Sequence, residues 1–183
     1  ADDKWNPTKK YICLLGIADA MRYLHEHRVI HCDLKPENVL IDEDYYTRVC
    51  NLGLSRCFSE FLSKSMTNIV GTPLYMATEL MNEEKYGEGV DVYAFAILAY
   101  EILTGKEPFY ELGNELSGFQ LFQKVMNGAR PTFEEDAPKE MQELISRCWD
   151  RNPNNRPSLK CYRLVFHCHM KMLMKMKLTN SWR

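Results

Sequence analysis

Apolar residues recur at helical spacing between residues 8 and 27, where Tyr11, Leu14, Leu15, Ala18, Met21, Leu24 and His25 share a face. Pro7 and Thr8 suit a helix start. A second pattern, VDVYAFAILAYEILT at residues 90–104, is apolar almost all round, which predicts a helix buried in a domain centre. Gly105 ends it, with Pro108 shortly after. Two amphipathic helices are expected at residues 117–127 and 138–149, with Pro138 in the first turn of the second. The β-prone runs are short. Val29-Ile30 is one, Val39-Leu40-Ile41 another, and Tyr46 to Val49 would pair with the latter across a turn at Asp42–Asp44. Residues 54–70 are polar, Ser-rich and without period, and read as a loop. The pattern therefore predicts a mainly α unit with one small β-hairpin.

Composition narrows the class without changing the fold. A chain of 183 residues is long enough for one domain with a real core. A net charge of −2 gives no pointer to nucleic acid or to a membrane surface. No apolar run approaches the ~20 residues of a transmembrane helix. The seven cysteines are an odd, scattered set without a C-x-x-C pair, so we expect reduced thiols in a cytoplasmic protein. From Leu159 to Arg183 the chain changes character, with six basic residues and no acid. That tail reads as a terminal helix fading into a disordered end rather than as a basic amphipathic segment for an anionic surface. His167, Cys168 and His169, with Cys161 nearby, lack a second ligand pair at zinc spacing and do not support a metal site.

Candidate chemistry is concentrated in HCDLKPENVL at residues 31–40, with a His, an Asp two positions on, and an Asn five beyond the Asp. Four further stretches follow in order: VCNLGLSR at 49–56, GTPLYMATEL at 71–80, YGEGVDVYAFAILAYEILTGKEPF at 86–109 and CWDRNPNNRPS at 148–158. Together they resemble the C-terminal lobe of the protein kinases, over residues from about 8 to about 158. The central helix and the CW…NP…RPS ending are similar to the tyrosine-kinase-like group. Lys35 and Thr72 look like serine/threonine rather than tyrosine specificity.

The resemblance implies a role for each matching residue. Asp33 would orient a substrate hydroxyl and accept its proton, and Lys35 would neutralise charge on the transferring phosphoryl group. Asn38 would hold magnesium, with Asn51 at the second metal position. Leu40 would lie under the adenine ring of ATP. Residues 54–76 would be the activation segment. His31, Glu79, Asp91 and Arg156 would be structural, Glu79 pairing with Arg156 and Asp91 bracing the catalytic loop through its backbone. The expected partner is a protein, as substrate or otherwise, with no nucleic acid and no transmembrane segment.

Several positions depart from the family pattern. Asn51-Leu52-Gly53 stands where the family has D-F-G. A carboxamide offers one neutral oxygen where a carboxylate offers charge, and magnesium prefers charged oxygens. A loss on the order of 10²–10³ in rate is expected, as for deletion of one transition-state stabiliser. Cys32 replaces the Arg that would bind an activation-segment phosphate, and the basic substitutes nearest that segment's start, Arg48 and Arg56, are not on the loop. Thr78 replaces a Pro and Ala96 a Gly, both milder changes. Residues 1–30 hold neither a Gly-rich loop nor a V-A-I-K lysine, so the expected architecture is the lower lobe, residues 1–158, with the N-terminal β lobe absent and a divergent tail at 159–183. Three functional readings stand: an ATP-dependent serine/threonine kinase domain that is incomplete here, a pseudokinase-type partner-binding module, or a non-functional gene remnant.

Overall fold

Residues Gly89–Thr104 form α3, the helix around which the rest is arranged; twelve of its sixteen residues are buried. An all-round apolar helix can be stable only where neighbours cover every side. Here α1 (Pro7–Glu26) lies against one side and α5 (Lys139–Cys148) against another. Gly105 closes α3 in the left-handed conformation, φ 71°, its N–H donating to Glu101 O at 2.8 Å. Lys10 Nζ, from α1, donates to Leu103 O at 2.7 Å and satisfies another terminal carbonyl. In this computed structural model the described residues are 5–57, 73–82, 84–112, 117–134 and 137–159. Residues 58–72 of the expected activation segment and residues 160–183 of the basic tail lie outside them.

Helix α1 starts one residue earlier than its periodicity predicts. The Asn6 side chain accepts from Lys9 N at 3.1 Å and Pro7 occupies the first turn, so Asn6 is the cap. The buried face is Tyr11, Cys13, Leu14, Ile17, Ala18 and Met21. Between α1 and α3 run four short strands: β1 (Val29–Ile30), β2 (Val39–Ile41), β3 (Thr47–Val49) and β4 (Arg56–Cys57). β2 and β3 form the expected antiparallel hairpin, Leu40 opposite Arg48. β1 pairs with β4, Ile30 opposite Arg56, which corrects the expectation that residues 54–57 belong to an irregular loop. Short helix α2 spans Thr78–Met81. Helix α4, Gly118–Met126, carries a reciprocal capping box between Ser117 and Gln120. Pro138 caps α5 from outside instead of sitting in its first turn.

Two close contacts set the hairpin and the distal end. Gly16 of α1 faces Thr47 so closely that a Cβ there would overlap Thr47 Oγ1, and that hydroxyl donates to Cys13 O at 3.2 Å. Between α3 and α5, Tyr100 meets Phe133 edge-on at 5.0 Å, and Phe133 stacks on Trp149 at 5.7 Å. The observed architecture is mainly α with two two-stranded sheets among the described residues.

Candidate active site

The loop between β1 and β2 is held from below by one carboxylate. Asp91, in the first turn of α3, is fully buried. It accepts from His31 N at 2.8 Å, from Cys32 N at 2.9 Å and from His25 Nε2 at 2.8 Å. A buried charge needs such partners. These bonds also account for Cys32, whose φ of 66° is uncommon for a residue with a Cβ. Asp91 fixes the two amides that lead into that turn and the His31 ring takes the Asp33 amide that leaves it, so the strained conformation is over-determined. The His31 ring completes the support: Nδ1 accepts from Asp33 N at 3.2 Å, leaving Nε2 to donate to Cys50 O at 3.0 Å.

Past this turn the polar side chains converge. Asp33 is 8% exposed and Asn38 4%. Asn38 Nδ2 donates to Asp33 O at 2.6 Å and to Asp33 Oδ2 at 2.9 Å. Lys35 Nζ lies 3.5 Å from the same Oδ2. Asn51 follows β3 in the left-handed conformation, φ 65° and ψ 65°, which Asn adopts more readily than most residues. Its Nδ2 donates to Asn38 Oδ1 at 3.1 Å. Asp33, Lys35, Asn38 and Asn51 are thus one contiguous group. Leu40 sits beside it on β2, 58% exposed, with Leu52 52% exposed after Asn51.

The two expected metal ligands, Asn38 and Asn51, meet as hydrogen-bond partners of each other. Magnesium seeks hard oxygens, chiefly carboxylates and phosphates. Here one carboxamide oxygen already accepts an N–H, and no cluster of three or more His, Cys, Asp or Glu side chains suited to a metal occurs among the described residues. These residues do not fit a magnesium ion held by the protein alone.

The remaining expected residues lie on the framework. Glu79 and Arg156 are 4% and 7% exposed and pair in bidentate fashion, Nη1 to Oε1 at 2.5 Å and Nη2 to Oε2 at 2.9 Å. Arg156 also donates to Asp150 O at 2.9 Å and Gly89 O at 2.8 Å, so α2, the start of α3 and residues 150–156 are joined at one point.

Three neighbours of the site escape sequence reasoning. His25 counts as one more residue on the α1 face, yet its ring reaches Asp91. Its place one turn beyond Met21 was the available signal. Arg56 arrives through the β1–β4 pairing, which sets it opposite Ile30, two residues from Cys32. A cation therefore does stand near position 32. Burial, then Asp91, push the Cys32 thiol up to about 12, partly offset by Tyr86 and Arg56. Tyr75 donates to Glu101 Oε2 at 2.6 Å; burial raises the Glu101 carboxyl, and neighbouring Glu37 and Glu107 add to it.

Comparison with known proteins agrees with this geometry. The sequence pattern described as the protein kinase domain matches residues 6–170. A probable LIM domain-containing serine/threonine-protein kinase of Dictyostelium discoideum is 43% identical over 144 residues, 79% of this chain and 21% of that protein. The dual specificity protein kinase shkB of the same organism is 37% identical across 75% of this chain and 21% of its own length. A protein kinase and PP2C-like domain-containing protein of Oryza sativa subsp. japonica is 31% identical across 86% and 29%. The chain thus spans less than a third of the length of these relatives. With the match covering nearly the whole sequence, the chain belongs to the protein kinase domain family.

Proposed function

We propose that this chain is the catalytic-loop lobe of an ATP-dependent serine/threonine protein kinase domain, one whose transfer is slow because its metal edge is neutral. The observation that carries the reading is the convergence of Asp33, Lys35 and Asn38 on one loop braced by buried Asp91. In this reading Asp33 accepts the proton of a Ser or Thr hydroxyl, and the Lys35 ammonium offsets charge on the phosphoryl group in transit. Asn38 holds the Asp33 carboxylate in place. Serine/threonine kinases among the relatives support the substrate class, and the tyrosine-kinase-like group is the subgroup we assign. Family members use ATP and magnesium generally. Bound magnesium would supply positive charge to the phosphates, and we assign this chain no resident ion. The exposed Leu40, Ile41 and Leu52 support a place for an upper lobe over the site. We assign the protein to a reducing, cytoplasmic setting, in which Cys13, Cys32, Cys50 and Cys148 stay thiols.

A second reading has a specific observation in its favour. Asn51 on Asn38 occupies the metal side, as a partner-binding pseudokinase would tolerate. One assay separates the two. Joined to the upper lobe of the Dictyostelium LIM-domain relative, the chain should transfer phosphate from ATP to a Ser/Thr peptide, and Asp33→Ala should abolish that transfer. Residues 1–183 alone should show none above the Asp33→Ala control. Transfer that survives Asp33→Ala in the joined protein contradicts the kinase reading, and no transfer at all favours the pseudokinase.

A further inference from the structure

The direction of the hydrogen bonds at the site has a consequence for how a nucleotide is held. A carboxylate only accepts, so Asp33 compels Asn38 to turn its NH2 group inward, where it meets Asp33 O and Oδ2 at 2.6 and 2.9 Å. Asn38 Oδ1 must then face Asn51, and Asn51 must answer with an N–H, as it does at 3.1 Å. The Asn51 Oδ1 atom is turned toward Gly53, 3.4 Å from where a Cβ on that residue would sit. One carboxamide oxygen is therefore engaged and the other faces the following turn. Asn51 is an exposed residue, and its second side-chain N–H makes no hydrogen bond among the described residues. The Lys35 ammonium stands nearby, 3.5 Å from Asp33 Oδ2.

Resting on the kinase reading above, we propose that this site binds ATP without magnesium, its phosphate oxygens accepting directly from the Asn51 carboxamide and the Lys35 ammonium. The swap of one oxygen for one nitrogen at position 51 reverses the sign of what the site asks for. A carboxylate there repels phosphate until a cation comes between them. A carboxamide donates to phosphate, and a cation between them loses that bond without gaining a charged ligand.

Calorimetric titration of the full chain with ATP, in excess EDTA and in excess magnesium chloride, tests this. Wild type should bind about equally in both, within roughly twofold, a difference under about 0.4 kcal/mol. Asn51→Asp should bind at least about tenfold more weakly in EDTA than in magnesium, as removal of a bridging cation from paired anions requires. Asn51→Gly keeps the left-handed backbone and removes the donor. It should lose about fivefold or more of the affinity measured in EDTA, roughly one good charge-assisted hydrogen bond. In 15N-labelled chain, ATP in EDTA should shift the Asn51 side-chain amide resonances, a readout independent of affinity. Wild-type binding that needs magnesium by about tenfold or more, or Asn51 resonances that do not move on saturation, overturns the proposal and leaves the kinase reading standing. Absence of ATP binding by all three proteins in both buffers, with unchanged thermal melts, overturns the proposal for this chain, while the kinase reading stands or falls with the upper lobe joined.

Discussion

Tyr93 is the residue on α3 whose hydroxyl finds no partner among the described residues, although the side chain is fully buried. Its ring is flanked by the guanidinium groups of Arg130 and Arg156, 5.2 and 5.3 Å from the centroid, so the ring face is well used and the hydroxyl is not. A buried hydroxyl without a bond costs about 1–3 kcal/mol. Tyr93→Phe should therefore stabilise the chain by about 1 kcal/mol in urea unfolding; a loss of that size would mean the hydroxyl is satisfied. A buried thiol, Cys13, and a half-buried one, Cys32, predict the alkaline behaviour. Burial pushes Cys13 up to about 11 and Cys32 up to about 12, against 9.0 for an ordinary thiol. The unfolded chain releases these protons first, so the contribution to stability is complete below pH 9 and is lost as pH rises through 11 and 12. The urea midpoint should fall between about pH 8.5 and about pH 10.5, and Cys13→Ala should flatten that fall. An unchanged slope in the variant would show that Cys13 is not the group responsible.

The elements differ in how much of them pattern reveals. Helices α1, α3, α4 and α5 run for two and a half turns or more, so their apolar period is long enough to read, and each appears within a few residues of its expected bounds. The strands are two or three residues long. Periodicity cannot register so few positions, and β4 is defined only by its pairing with β1. That is why Arg56 looks remote from Cys32 in sequence and is its neighbour in space. The turn of the hairpin shows the same limit: Tyr45 takes φ 66° within it, which no Gly or Asn announces. The packing of α1 on β3 predicts a specific defect. Gly16→Ala would drive a methyl group into Thr47 Oγ1 and should cost about 1–3 kcal/mol, as overpacking does. Thr47→Ala removes the obstacle, so the double variant should be clearly less destabilised than the sum of the singles. Strict additivity would place the hairpin elsewhere.

For the whole molecule, the ordered motifs identify which distant residues belong together, and folding supplies what they do not contain. Asp91 reaching the 31–32 backbone and Glu79 meeting Arg156 are both implied by the family resemblance that the ordered motifs carry. His25 on Asp91 and Arg56 beside the catalytic loop are not, because strand pairing and side-chain reach are properties of the packed chain. The Glu79–Arg156 pair joins elements 77 residues apart in sequence. Removing one partner strands a buried charge, at about 3–5 kcal/mol. Glu79→Ala should lower Tm clearly, whereas Glu143→Ala, at an exposed position on α5, should change stability by less than about 0.5 kcal/mol. Similar effects of the two substitutions would contradict a shielded pair.

The claim on which the functional account turns is that Asn51 makes the edge of an otherwise assembled catalytic loop neutral. It is tested most directly by the rate of Asp33-dependent phosphate transfer from ATP in magnesium, measured with the chain joined to a relative's upper lobe, with Asn51 and with Asn51→Asp. Restoring the carboxylate should raise the rate by about tenfold or more, a fraction of the 10²–10³ that a single transition-state stabiliser commands. Equal rates with Asn and Asp at position 51 would contradict the account.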